Sequence, residues 1–417
     1  MIKTTIKKLK NGLTMVLVED KSKNQTTAVL TVKYGTKVSH VKVLDEIIEI
    51  KPGLAHLLEH TLIENSIYGN VSAYFNNNYV NYNGFTSSKT TYFPIKTIKD
   101  FKKHLKVLLD YINVIDFNEE KLEEIKKPIV DEIIRSKDRS YYKFNEVVSL
   151  MANNKTKFVG NLGEIDDVLK ISVQELKRVH EIMYQPSNQI LSISGNFDTD
   201  DILKYVEDLY DEYNIPVIEY QILDEEDTCE YEKNEVTIID EKYDPICSLE
   251  YKIDLSGFTK EEKLKIDYYI SYFLTYNFSD NSKTYKRVKD EHLSAFSFSC
   301  SKDFITRNVL LVRVVINSTE YDKIKSIIQD VFNNIYMDKE YFELWKRESL
   351  INIIKREKNH NLIRKSLTNN ILDFDIYYNE GIDFIESMTN LEKGLMWKLI
   401  TFIHHHWVKE IFLDCVN

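Results

Sequence analysis

At 417 residues the chain is longer than one hydrophobic core usually serves, so two or more domains are expected. A formal charge of −11 argues against a phosphate-binding surface and therefore against nucleic acid as a partner, because such affinity rests on clustered Lys and Arg. With 43% hydrophobic residues and only 6 Pro and 11 Gly, long disordered linkers are excluded as well.

The N-terminal MIKTTIKKLKNGLTMVLVED has no apolar stretch of signal-peptide length, and no segment reaches the ~18 apolar residues of a spanning helix. A cytoplasmic chain without a membrane span is expected. The next informative stretch, GLAHLLEHTLIENS (53–66), places His56, Glu59 and His60 on an otherwise apolar helix. Positions i and i+4 share a helix face, so the two imidazoles can hold one metal ion with Glu59 beside them. H-x-x-E-H inverts the H-E-x-x-H order and is the inverzincin motif, whose glutamate is the general base for a zinc-activated water. Left unpaired in an apolar helix, the same groups would cost about a few kcal/mol each. A catalytic zinc takes three protein ligands and keeps one position open, so a third ligand must come from elsewhere, and Glu132 is the candidate.

Further along, VNYNGFTSS (80–88) and TTYFPIK (90–96) read as paired strands, followed by the amphipathic helix 98–112 and the long charged helix EEIKKPIVDEIIRSKDR (123–139). The segment 215–235 loses periodicity and gathers acid, which marks a boundary between a first domain, 1–220, and a second, 230–417. Beyond it the same order recurs: SAFSFSCS (294–301) and RNVLLVRVVIN (307–317) as strands, a helix over 319–335, and the charged helix LWKRESLINIIKREKN (344–359). Laying the long helices on each other sets Asn352 opposite Glu132, and the counterpart of the His-bearing helix, KLKIDYYISYFLTY (263–276), contains no histidine. The pattern predicts an α+β fold of two related halves, each a mainly antiparallel sheet packed with helices, with the chemistry in the first.

Cys229, Cys247, Cys300 and Cys415 lie far apart without a C-x-x-C pair, so reduced structural thiols are expected. The run His404, His405, His406 cannot share one helix face, because consecutive residues point about 100° apart, and a partly exposed helix end is expected. His40 and His180 have no patterned carboxylate partner and are expected at solvent or capping positions.

Several stretches in order, NGLTMVLVED (11–20), GLAHLLEHTLIE (53–64), NGFTSSKTTYF (83–93), KKPIVDEI (126–133), YQPSNQILSISGNFD (184–198) and KTYKRVKDEHLSAFSFS (283–299), resemble the pitrilysin/insulinase family of zinc peptidases, in the branch of mitochondrial processing peptidase and many bacterial peptidases. The resemblance implies half of a clamshell, with a glutamate some seventy residues after the second histidine as the third zinc ligand. Glu132 follows His60 by 132 − 60 = 72, which favours it over Glu123 and Glu124. It also implies zinc-dependent cleavage of unfolded or precursor peptides, with zinc on His56, His60 and Glu132, and with Glu59 as base and then acid. Substrate would add as an extra strand along Asn83, Gly84, Phe85 and Thr86. One departure stands out: the family's substrate-facing arginine, and the tyrosine seven residues later, fall here on Lys289 and Phe296. Arg287 could serve only if the register slips by two, and no tyrosine follows it at the right distance. A heterodimer is therefore expected, in which a related subunit supplies the Arg/Tyr pair, with a homodimer as the alternative. The alternatives in function are a dedicated processing peptidase for a bacteriocin-type precursor and a non-catalytic structural subunit that retains the motif.

Overall fold

The computed structural model describes residues 2–139, 142–152, 162–223, 235–239, 246–293, 298–318, 320–334, 338–388 and 409–414. In chain order the first elements are β1 (Lys3–Lys8), β2 (Thr14–Glu19), β3 (Thr26–Val32), β4 (His40–Val43), β5 (Glu46–Glu49), α1 (Leu54–Glu64), α2 (Val71–Asn77), β6 (Asn81–Tyr82), β7 (Phe85–Thr86) and β8 (Thr91–Thr97). There follow α3 (Phe101–Asn113), α4 (Glu119–Lys137), α5 (Tyr142–Ala152), α6 (Ile165–Leu169), α7 (Val173–Met183), β9 (Gln189–Gly195), α8 (Thr199–Tyr213) and β10 (Gln221–Ile222). The remainder comprises β11 (Glu235–Ile239), β12 (Ile246–Asp254), α9 (Lys260–Phe278), α10 (Lys283–Asp290), β13 (Phe298–Thr306), β14 (Val309–Asn317), α11 (Tyr321–Asn333), α12 (Lys339–Glu357), α13 (His360–Phe374), α14 (Ile382–Ser387) and β15 (Lys409–Asp414).

Two compact units result. Unit 1 comprises Met1–Lys137, Val159–Glu225 and Arg356–Leu372, and unit 2 comprises Asp138–Phe158, Glu226–Lys355 and Asp373–Asn417. In unit 1 seven strands form one sheet in the order β1-β2-β9-β3-β8-β6, with β7 also on β8. Only β2 and β9 run parallel; the other pairs are antiparallel. The middle of this sheet is buried on both faces, since β9 is buried along its whole length and β2 at all but its last residue. Met15 and Leu17 join the core formed with α1, α3, α4 and α7, whereas Val16, Val18 and Ile190 meet Ile363, Leu367 and Ile371 of α13 on the opposite face.

That packing departs from the expected 1–220 and 230–417 division. An apolar face left open on β2 and β9 would be wet, and α13 covers it with apolar residues at i, i+4 and i+8. The segment Arg356–Leu372 therefore belongs to unit 1, although it comes late in the chain. A small sheet, β10-β4-β5, was also absent from the sequence reading, because its strands are only two to four residues long.

Unit 2 has a five-stranded sheet, β11-β15-β12-β14-β13, in which β11 and β15 are parallel and the other pairs antiparallel. Leu249, Tyr251 and Ile253 of β12 pack with Ile266, Ile270 and Phe273 of α9 and with Ile324 and Ile328 of α11. The order β13, β14, α11, α12 repeats the unit 1 order of edge strand, β8, α3, α4, as the duplicated pattern predicted. The first strand of that pair starts at Phe298 and runs to Thr306, five residues beyond the expected end at 301, and 294–297 lie outside the described residues.

Candidate metal centre

The helix α1 is preceded by Gly53 at its N-cap, whose φ of 83° lies in the left-handed region, and a Cβ there would stand 2.7 Å from both the Leu162 carbonyl oxygen and the Val168 side chain. Glycine is needed on both counts. Leu54, Leu57, Leu58 and Leu62 are buried in the unit 1 core, which fixes the helix's rotation about its axis. That rotation puts His56 and His60 toward α4 and Glu59 toward β7. The long helix α4 packs on α1 through Ile125, Ile129 and Ile133, so Glu132, adjacent to this stripe, faces the two histidines. Asn65 Nδ2 donates to the Asn118 carbonyl at 3.2 Å and ties the end of α1 to the approach to α4.

Glu132 Oε2 lies 3.8 Å from His56 Nε2 and 4.0 Å from His60 Nε2. One ligand atom from each of the three residues falls within 4.8 Å of the others, and among the described residues this is the one group of three or more His, Cys, Asp or Glu side chains so placed. Ligands about 2.1 Å from a tetrahedral zinc lie about 3.4 Å apart, so the two Glu132 separations of 3.8 and 4.0 Å would each close by about half an ångström onto an ion. The state of His56 fits the same role. It is buried, its Nδ1 has no hydrogen-bond partner, and its Nε2 stands beyond hydrogen-bond length from Glu132. Burial, with a smaller contribution from the His60 charge, pushes its pKa down to about 3, so the imidazole is neutral and its lone pair available. Two imidazoles and one carboxylate are a donor set of the catalytic zinc kind.

Glu59 sits beside this group rather than in it. Its Oε2 accepts from Thr86 Oγ1 at 2.8 Å, and both residues are buried. Burial raises its pKa; the Thr86 hydrogen bond and the His60 charge oppose the rise, and the Glu132 charge adds to it. A carboxyl tuned upward next to a metal-ligand set is what a general base requires. Gly84 completes the cradle: a Cβ there would stand 2.3 Å from Glu59 Oε1 and 2.8 Å from Ile63 Cδ1.

The four residues expected to meet substrate therefore divide. Asn83 and Gly84 form the interruption between β6 and β7, with Asn83 N bonded to the Pro94 carbonyl at 3.2 Å. Thr86 is buried on Glu59, and Phe85 is 47% exposed, its ring 5.1 Å from that of Tyr92. β6 and β7 pair with β8 on one side and with no other described strand. One partner of the centre had not been singled out in the sequence: Glu64, whose Oε1 is 3.3 Å from His60 Nδ1. Its signal was the same i, i+4 spacing that joins the histidines.

Elsewhere, Asn352 is exposed on α12; α9, the counterpart of the His-bearing helix, contains no histidine; Lys289 is exposed on α10, and Arg287 is held by Glu291 at 2.9 Å. Phe296 and His404, His405 and His406 lie outside the described residues, as do Cys229 and Cys415; Cys300 is a free thiol. His40 is exposed, as expected. His180 is not: it is buried, bonded through Nε2 to the Ile112 carbonyl at 2.7 Å and stacked on Tyr184. The helix α7 turns it into the core, where the hydrogen bond offsets the burial of its polar edge.

The fold and site together describe a two-unit α+β protein carrying an H-x-x-E-H helix and, on a neighbouring helix, a carboxylate that faces its two histidines. Residues 170–348 match the family model described as the peptidase M16 inactive domain. A relative in Bacillus subtilis (strain 168), the uncharacterized zinc protease YmfH, is 29% identical over 202 residues, which are 48% of this chain and 47% of that protein. Among solved structures, an M16-like peptidase from Alicyclobacillus acidocaldarius superposes with a TM-score of 0.82 at 19% identity over 99% of both chains. A protease from Helicobacter pylori gives 0.78 at 13% identity, also over 99% of both. The periplasmic protease PqqL from Escherichia coli gives 0.77 at 14%, covering 99% of this chain and 48% of that one. Residues 170–348 are thus similar to a domain of the M16 peptidases, and over its whole length the chain shares the fold of these solved M16-like structures. The curated relative is about twice as long as the stretch it shares with this chain. No helix among the described residues is long and apolar enough to cross a membrane.

Proposed function

We propose that the chain is a zinc-dependent endopeptidase acting on unfolded or precursor peptides, with His56, His60 and Glu132 as metal ligands and Glu59 as general base and then acid. The convergence of the three ligand atoms, with a buried carboxylate of raised pKa beside them, carries the reading. The match to the inactive-domain model covers 170–348 and so leaves out all four of these residues. Bound at this set, zinc supplies Lewis-acid polarisation of the scissile carbonyl and acidifies the attacking water. The protein's own part falls mainly to Glu59. With Oε2 committed to Thr86, Oε1 is left to take the proton from water and return it to the leaving amine. Gly84, by lacking a Cβ, keeps the space that Oε1 occupies. Along β6 and β7 the unpaired edge offers backbone groups to an extended peptide, an arrangement that favours affinity over sequence preference.

The same reading places a related subunit opposite this one. Lys289 lacks the guanidinium fork, and Arg287 is already held by Glu291, so an Arg/Tyr pair that binds the substrate carbonyl and the oxyanion has to come from a partner. Each lost donor typically costs ~10²–10³ in rate, and the isolated chain would therefore cleave feebly. The test is metal content together with turnover of unstructured peptides, with and without candidate partners. About one zinc per chain is expected. Glu59→Gln should keep it and abolish cleavage, whereas Glu132→Gln should weaken zinc binding. Full zinc occupancy in a His56→Ala, Glu132→Gln double variant would overturn the ligand assignment, and robust turnover by the chain alone after Lys289→Ala would overturn the partner.

A further inference from the structure

The two histidines of the centre are held in different ways. His56 is buried, 7% exposed, and its Nδ1 has no hydrogen-bond partner, so packing rather than a hydrogen bond at that nitrogen holds its ring. His60 is more open, its side chain 27% exposed, and packing does not confine it to the same degree. An exposed imidazole can turn either nitrogen toward a ligand and can exist as either tautomer, and water competes for both nitrogens. On this ring, however, Nδ1 faces Glu64 Oε1 at 3.3 Å one helical turn further along α1, while Nε2 faces Glu132.

We propose that Glu64 is a positioning residue of the metal centre: its carboxylate accepts the Nδ1 hydrogen of His60, selects that tautomer, and presents Nε2 to the ion. The inference rests on the metal reading above and deepens it. Carboxylates behind metal-bound imidazoles fix ring orientation and raise ligand basicity, and their loss typically lowers metal affinity ~10–100-fold. A rival partner for Glu64 is already engaged. Lys121 on α4 lies near enough to feel the Glu64 charge, but its Nζ is bonded to Glu124 at 2.8 Å. The side chain of Glu64 is 30% exposed, so its removal opens no cavity in the core and the fold should survive substitution.

The experiment uses the full chain and reads the metal rather than activity. Zinc affinity is measured by competition with a chromogenic chelator for the wild type, Glu64→Ala and Glu64→Gln, and the visible spectrum of the cobalt-substituted forms is recorded. Glu64→Ala should bind zinc ~10–100-fold more weakly with an altered cobalt spectrum. Glu64→Gln retains a carbonyl acceptor for the Nδ1 hydrogen and should recover most of the affinity, which a bulk effect of lost charge on the helix would not allow. Equal melting temperatures would confirm that the fold is intact. If the wild type takes up zinc and Glu64→Ala binds it as tightly, the role of Glu64 is overturned while the metal centre stands. If Glu64→Gln is as weak as Glu64→Ala, the orienting hydrogen bond is likewise overturned. A wild type that takes up no zinc overturns the centre and this inference with it.

Discussion

Replacing Thr86 with Val tests the coupling between the edge strand and the base. The side chains are similar in shape, and Thr86 is buried, so the change removes one hydroxyl and little else. That hydroxyl donates to Glu59 Oε2 at 2.8 Å, the contact that most opposes the burial-driven rise in the Glu59 pKa. A hydrogen bond to a charged acceptor contributes about 1.5–3 kcal/mol. The hydroxyl can also bond the neutral carboxyl, so roughly half of that acts on the protonation equilibrium, which at 1.36 kcal/mol per unit corresponds to about one pKa unit. The base must be ionised to work. The acid limb of kcat/KM against pH should therefore move up by about one unit in Thr86→Val, with zinc content unchanged. The assay is peptide cleavage between pH 4 and 9, with metal analysis of each sample. An acid limb that stays where it is in a folded, zinc-loaded variant would refute the assignment of Glu59 as the base held by Thr86.

Two further outcomes follow from packing and burial. Leu367→Ala, on the helix that covers the outer face of β2 and β9, should destabilise the chain by about 2–5 kcal/mol in urea denaturation, since Leu367 is 1% exposed against Val16, Val18 and Ile190; a loss below about 1 kcal/mol would mean that α13 does not close that face. The zinc-free chain should also lose stability in acid. Burial holds His56 to about 3 and His180 to about 4, against 6.5 for an ordinary histidine, so both stay neutral in the fold while the unfolded chain takes up protons. Their contribution is whole above about pH 6.5 and is lost as pH falls toward the folded values, at about 1.4 kcal/mol per unit for each group. His180→Gln should reduce the slope of stability against pH by about that amount between pH 6 and 4, and an unchanged slope would show that His180 is not buried neutral.

Much of the centre was legible from local spacing alone. His56, Glu59 and His60 lie within five residues on one helix, where a periodicity of 3.6 decides which side chains share a face. The strands and the amphipathic helices of both halves were legible for the same reason, since β8, α3, β14 and α11 carry clear apolar patterns, whereas α4 and α12 were read as long charged runs. Glu132 is the intermediate case. Distance along the chain nominated it, but only the packing of Ile125, Ile129 and Ile133 onto α1 turns it toward the histidines.

What the sequence could not determine depends on burial, which no local pattern reports. His180 looked like a solvent histidine because its polar edge is satisfied by a backbone carbonyl 68 residues away. The segment carrying α13 looked like part of the second half because chain order says nothing about which sheet face needs covering. Thr86 and Gly84 looked like one substrate-facing strand, yet strand pleating sends Thr86 inward to Glu59 and Phe85 out to solvent, and the backbone at Gly84 closes on the same carboxylate. Residue types and spacing determined which groups could do chemistry; tertiary packing decided which of them are desolvated and in contact, because the free energies that tune a carboxylate or orient an imidazole arise only between groups brought together out of water.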